Sequence, residues 1–387
     1  MQKQELDGIL ESIVQSGQDI SDVIFVAGRP VQIDILGELK PFTNKKGEGL
    51  LTSERIEALS SVVINNNSKL LQDLKENGSC DCGYSLKNAC RFRVNVYYEN
   101  GNQAMVMRYL KPLLPTFEGL KLGPVFREII REKNGIVFVT GGTGVGKTTT
   151  IAAMLNEINK SREVHILTLE DPIEFVHPPI KATFSQRELG RDFFSFQNGM
   201  RAAMRQAPKI IFIGEVRDRD TMEIVLNAGE TGHLVLCTLH TSSAGATINR
   251  IIGMFGMEEE TQVRERLAEA MRYIVSQRLV PAYAGGRLLV TEILGSSLRS
   301  REAIAMGENE NRRLDEIIEA GSVLGWHSFE QSLGKAYEQN LITRETALLH
   351  CSNKPKMMQR IDSLSHQKHR SDGEPDAITA NLKMKPK

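Results

Sequence analysis

Aromatic side chains make up only 6% of this chain, with a single tryptophan, and neither sign of charge is in excess: 48 lysines and arginines balance 48 aspartates and glutamates. Balanced charge excludes the bulk electrostatic footprint of a nucleic-acid or anionic-membrane binder, leaving room only for local basic patches. No alternation of aromatic and basic residues forms a surface on which bases could stack, so no nucleic acid is expected as a partner. Cysteine is scarce too. Cys80, Cys82 and Cys90 cluster while Cys237 and Cys351 stand alone, and no C-x-x-C pair exists. That spacing does not suit a zinc site, and reduced, structural thiols fit a cytosolic chain. No apolar run approaches the roughly 20 residues that span a bilayer, and the opening Met1–Asp7 lacks the apolar core of a signal peptide. The expected location is therefore cytoplasmic.

With 387 residues, 41% of them hydrophobic, the chain can bury a large core, and its length suggests two globular units and a tail. Residues 1–112 read as α+β. An amphipathic helix carries Leu6, Ile9, Leu10, Ile13 and Val14, and strands Val23–Val26 and Val31–Ile35 flank the turn Gly28-Arg29-Pro30. A second helix covers about Glu54 to Asn65, and strands Arg91–Val96 and Gln103–Arg108 flank Glu99-Asn100-Gly101-Asn102, good hairpin chemistry. Residues 113–124 are expected to form a connector, Pro112 at its boundary and Pro115 within it holding the chain extended. In 125–353, strand patterns at 136–139, 165–169, 210–213, 234–239 and 288–292 alternate with helical ones, predicting an α/β domain with a parallel sheet and a ligand at the strands' carboxyl ends. Beyond Lys354 the apolar periodicity fades, so 354–387 is expected to be a flexible tail.

The motif with most chemical content is Gly141-Gly142-Thr143-Gly144-Val145-Gly146-Lys147-Thr148, the G-x-x-x-x-G-K-[ST] pattern, preceded by an apolar strand and followed by a helix from Thr149. Glycines allow the loop to fold back so that its N–H groups and the positive helix end converge on phosphate oxygens. Lys147 then reaches the β- and γ-phosphates and Thr148 places its hydroxyl on Mg²⁺, making ATP and Mg²⁺ the expected ligands.

Hydrolysis needs further groups: acids to hold the metal through water and to orient the attacking water, and cations for charge developing on the γ-phosphate. Thr168-Leu169-Glu170-Asp171-Pro172-Ile173-Glu174 places three carboxylates where a strand stops. Lys209–Glu215 is an apolar strand ending in a carboxylate, the Walker B pattern, with Gly214 where many NTPases carry a first aspartate. His233 and His240 bracket the strand 234–239, and His240, following it, could sense the γ-phosphate.

Taken in order, Gly141–Thr148, Thr168–Phe175 (Asp box), Gly214-Glu215-Val216-Arg217-Asp218 (Walker B) and Glu230–His240 (His box) resemble the type II/IV secretion ATPases over about residues 5–350. Within them the chain is similar to the pilus retraction branch, the PilT/PilU family. Leu114–Phe117, Arg205–Pro208 and Ser276–Pro281 look nearer the PilU side of it. The resemblance implies a PAS-like N-terminal domain, a RecA-like ATPase domain, and a hexameric ring that retracts type IV pili from the inner face of the cytoplasmic membrane, against an inner-membrane platform protein. The ring would hold one chain type or include a PilT-type paralogue. It also implies that Arg93 and Arg108 reach the nucleotide, a role suited to a permanently charged, bidentate guanidinium. The implied set is Glu215, Glu170, His240, Arg93 and Arg108 for catalysis, Gly141 through Thr149 for nucleotide, and Thr148, Glu170, Asp171 and Glu215 around the metal. The chain departs from the family pattern at Ser21-Asp22-Val23-Ile24, which lacks a histidine, at Lys209, and at Ser297–Ile304, where retraction motors carry Ala-Ile-Arg-Asn-Leu-Ile-Arg-Glu. An accessory subunit supporting a PilT-type motor, or a RecA-like nucleic-acid motor, are the competing readings.

Overall fold

The computed structural model describes residues 2–18, 20–35, 37–42, 49–86, 90–110 and 113–371. Pro112 of the expected connector and the tail after Ser371 lie outside the described residues. The chain divides into two compact units, residues 1–116 with 152–216 and residues 117–151 with 217–387.

The first part of the chain runs α1 (Gln2–Gln15), β1 (Ile20–Phe25), β2 (Gln32–Ile35), β3 (Glu38–Pro41), α2 (Ser53–Ile64), α3 (Ser68–Asn77), β4 (Ser79–Ser85), β5 (Arg91–Glu99) and β6 (Asn102–Leu110). The strands form one sheet in the order β3-β2-β1-β6-β5-β4, and each pairing given by the register is antiparallel. The β5–β6 hairpin turns at Asn100 and Gly101, both with positive φ (49° and 79°), the primed geometry that asparagine and glycine tolerate and that matches strand twist. Alternation along β5 and β6 buries Phe92, Val94, Val96, Met105 and Met107 against Leu6, Ile9, Leu10 and Ile13 of α1. Arg93 and Arg108 consequently face outward, directly opposite one another. Thr52 caps α2 through its hydroxyl and Asn67 caps α3, supplying acceptors that the first-turn N–H groups lack.

The remainder comprises α4 (Val125–Ile129), β7 (Gly135–Thr140), α5 (Lys147–Ser161), β8 (His165–Glu170), β9 (Thr183–Glu188), α6 (Phe196–Ala203), β10 (Ile210–Ile213), α7 (Arg219–Glu230), β11 (Leu234–Leu239), α8 (Ala244–Ile252), α9 (Glu260–Ala270), β12 (Met271–Pro281), β13 (Arg287–Gly295), α10 (Leu298–Met306), α11 (Leu314–Ala320), α12 (Phe329–Glu338), α13 (Arg344–His350) and α14 (Lys354–Ser371). The first unit contains the strand run β10-β8-β9 and the second the run β13-β12-β7-β11. Strands β7, β10 and β11 are buried at every residue, which is why they read as unbroken apolar runs. The expectation of a parallel sheet needs one correction, because β13 runs antiparallel to β12.

A second correction concerns the segment from Lys354, which is helical as far as Ser371. Met357 and Ile361, one helical turn apart, are buried with Phe329 and Leu333 of α12 and with Val280 and Val290 of the sheet. The helices α12 and α14 approach closely at Gly334, where an added Cβ would lie 2.5 Å from Arg360 Nε. Met357 and Ile361 thus anchor a largely polar helix, which Lys356 also ties to Glu319 at 2.7 Å.

Candidate active site

In the second unit, β7 delivers the chain into the glycine loop. Gly141, Gly144 and Gly146 take φ of 145°, 75° and 86°, which side-chain-bearing residues rarely adopt. At Gly141 there is also no room: a Cβ would sit 2.6 Å from the Gln277 carbonyl oxygen and 2.7 Å from Val145 Cγ2. The loop becomes helix at Lys147, and the Thr150 N–H donates to Gly146 O at 2.9 Å, leaving the first-turn N–H groups of α5 at the loop. The Lys147 side chain is buried and turned back over the loop, its Nζ donating to the carbonyls of Gly141 and Gly142 at 2.9 Å each. Gly142, Thr143 and Gly144 are exposed, and Val145, Gly146, Thr148 and Thr149 are half-buried. This is a cradle of backbone donors with one ammonium folded into it, the arrangement that phosphate requires.

Strand β12 braces the cradle from one side. Thr140 Oγ1 donates to Ser276 Oγ at 3.0 Å, and Gln277 Nε2 donates to Thr150 Oγ1 at 2.7 Å. Strand β11 lies parallel to β7 on the other, with Leu239 paired to Thr140, so His240 and Gly141 leave the sheet at the same end. His240 is exposed, whereas His233, at the opposite end of β11, packs its Nδ1 against the Ala228 carbonyl at 3.2 Å and has a structural environment.

In the first unit, β8 and β10 run parallel with Leu169 paired to Ile213, so Glu170 and the Gly214-Glu215 pair also share one sheet end. Gly214 fits tightly there. Its N–H donates to the Leu169 carbonyl at 2.7 Å, and a Cβ would approach that oxygen to 3.3 Å. Glu215 is half-buried and Asp171 exposed. Glu170 is 5% exposed, and its Oε1 accepts from Thr168 Oγ1 at 2.6 Å and Gln186 Nε2 at 3.2 Å. Burial pushes its carboxyl up to about 7, while those hydrogen bonds pull in the other direction. Arg93 and Arg108 stand exposed on the antiparallel sheet, Arg108 paired to Asp22 at 3.0 Å. Arg108 thus stands between Asp22 on β1 and Arg93 on β5, two guanidiniums beside one carboxylate, an excess of positive charge that favours an anion.

Among the described residues no three histidine, cysteine or acidic side chains converge as a metal site. The donors present fit Mg²⁺ in another way: Mg²⁺ keeps several waters and binds through one or two protein oxygens plus phosphates, which the Thr148 hydroxyl beside the glycine cradle can supply. Two braces escaped the sequence reading as functional candidates, Gln186 and Gln277, because each acts through a contact with a residue far away in sequence. Only the period-two spacing of Gln186 and Glu188 hinted at a polar strand face.

A glycine cradle with its lysine, at the carboxyl end of a largely parallel sheet, joined to a separate antiparallel sheet, defines the class: a P-loop ATPase of mixed α/β architecture. The family profile described as "Type II/IV secretion system protein" matches residues 73–287, and the chain belongs to that family. It is similar to the "Type IV pilus retractation ATPase PilT" of Pseudomonas aeruginosa, 36% identical over 85% of this chain and 94% of that one. It is also similar to the "Type IV pilus ATPase PilU" of the same organism, 35% identical over 95% of this chain and 94% of the relative. Among solved structures, that of "the Pilus Retraction Motor PilT and Bound ADP" superposes with a TM-score of 0.80 at 36% identity, covering 91% of this chain and 98% of the other.

Proposed function

We propose that this chain is the subunit of a six-membered motor ring that hydrolyses ATP to retract type IV pili, and so drives twitching motility, from the cytoplasmic face of the membrane. The observation that carries the reading is the cradle at Gly141–Lys147, a phosphate site in which Gly141 has neither the φ nor the space for any other residue. The relatives named as pilus retraction ATPases support the rest. In this reading residues 1–112 form a PAS-like domain and 125–353 a RecA-like one. The N–H groups of Gly141–Thr149 and the Lys147 ammonium bind the phosphates. Thr148, Glu170, Asp171 and Glu215 would hold Mg²⁺, and the ion would supply positive charge against the phosphate oxygens. Glu215 orients the attacking water, His240 follows the γ-phosphate, and Arg93 and Arg108 meet the nucleotide of a neighbouring subunit.

The purified chain tests it. Lys147→Ala should abolish nucleotide binding and turnover, because it removes the P-loop cation. Glu215→Ala should bind ATP within about twofold of the parent yet lose on the order of a hundredfold in kcat, since a group that orients water acts mainly in the transition state. Equal losses in binding and turnover would make Glu215 structural. In cells, loss of the chain should leave pili assembled and unable to retract. The departure at Ser297–Ile304 favours a second reading, support of a PilT-type motor in a mixed or stacked ring. Retraction restored by this chain in a strain lacking every paralogue would dispose of that reading.

A further inference from the structure

The loop that leaves β8 is held by one face of β9. Thr168 pairs with Gln186 and Glu170 with Glu188 in the parallel register, and side chains two apart on a strand share a face. Gln186 reaches three groups. Its Nε2 donates to Glu170 Oε1 at 3.2 Å and to the Phe175 carbonyl at 2.8 Å, and its Oε1 accepts from the His177 N–H at 2.9 Å. Two residues on, Glu188 Oε2 accepts from the Ile173 N–H at 3.2 Å and pairs with the buried Arg91. The Glu174 backbone N–H closes the loop onto the Glu170 carboxylate itself. The His177 ring stacks on Phe184 of β9, centroids 4.6 Å apart and planes within 4°, so the far end of the loop is pinned as well.

Within this frame Gln186 is the side chain that touches both the carboxylate and the loop. A primary amide is the group that can do this, since it offers two donors and one acceptor in a plane; a glutamate there would have no donor for Glu170, and a methionine of similar length would have neither donor nor acceptor. We propose that Gln186 is a positioning residue for Glu170: from β9, outside the four motif segments, its amide fixes the orientation of the carboxylate and of the 173–177 loop for turnover. The inference rests on the reading of Glu170 as a catalytic carboxylate.

The test uses the purified full-length chain, with steady-state ATP hydrolysis, binding of fluorescent ADP and thermal melting measured for the parent, Gln186→Met, Gln186→Glu and Glu170→Gln. A residue that orients a catalytic group lowers kcat while sparing ground-state affinity, so Gln186→Met is expected to lose about tenfold in kcat with KM and ADP affinity within about twofold. Gln186→Glu should lose more, because it sets a second carboxylate against Glu170, again with ADP affinity kept. Parental kcat in Gln186→Met overturns the proposal. So does a loss of kcat matched by equal losses of ADP affinity and melting temperature in both variants, or failure of both to fold, since either makes Gln186 structural. A parent with no turnover, or Glu170→Gln at parental kcat, would sink the role of Glu170 and this inference together. An active parent, an inactive Glu170→Gln and an unaffected Gln186→Met would sink the inference alone.

Discussion

Glu292 lies on β13, 6% exposed, and its Oε1 accepts the Ala244 N–H at 2.8 Å, holding the start of α8 four residues after His240. Burial raises its carboxyl to about 7, the hydrogen bond and Arg278 opposing that shift. A carboxylic acid whose folded pKa exceeds its unfolded one binds more protons when folded, so stability is lost as pH rises from the ordinary carboxyl range through 7. Glu292→Gln keeps an acceptor for Ala244 and removes the charge. It should be more stable than the parent at pH 8 by about 2 kcal/mol in chemical denaturation, with the difference closing near pH 5. A gain of equal size at both pH values would show that the buried charge is not its cause. At this scale, the sequence revealed residues whose role is local. The P-loop is contiguous because a tight phosphate turn must be, and Glu170 and Glu215 stand at the ends of apolar runs. Gln186 and Gln277 were silent because a brace is defined by what it touches across the fold.

Among elements, the strands at 136–139, 165–169, 210–213 and 234–239 were legible because strands that are buried almost throughout are made almost wholly of apolar residues. Strand β9 is half-exposed and polar, at the end of the sheet, so little in Thr183–Glu188 beyond the spacing of Gln186 and Glu188 distinguishes it from a loop. Strand β12 begins at the residue after α9 ends, without the turn chemistry that would mark a boundary. The docking of α14 was missed because it depends on Met357 and Ile361, two residues in a segment otherwise rich in charge. Its contribution can be measured. Ile361→Ala, at a position 1% exposed, should lower stability by about 3 kcal/mol, read as a fall in melting temperature or in the denaturant midpoint. A loss below about 0.5 kcal/mol would mean that α14 is not packed on α12 in solution.

For the whole molecule, the consequential feature is the separation of functions along the chain: Arg93 and Arg108 stand on the β5–β6 hairpin and Lys147 in the glycine loop, and the two segments belong to different compact units. Arg108 is paired with Asp22 of its own sheet, yet its side chain stays 65% exposed, and Arg93 faces it across the ladder. If these arginines serve a neighbour's nucleotide, each working site needs two subunits, and ATPase activity per subunit should rise with protein concentration as rings assemble. Arg108→Ala should then bind ATP yet hydrolyse it slowly, losing the charge that meets the transferring phosphoryl group. Lys147→Ala should be inactive with its arginines intact. In a randomly mixed ring about a quarter of the interfaces would join an intact P-loop to an intact arginine, so combining the two inactive proteins should restore measurable turnover. The same mixing with wild-type arginine in neither partner should restore none. Concentration-independent activity from a monomer, with no rescue on mixing, would place the arginines outside the site and leave a retraction stroke without the contact that couples one subunit's hydrolysis to the next subunit's movement.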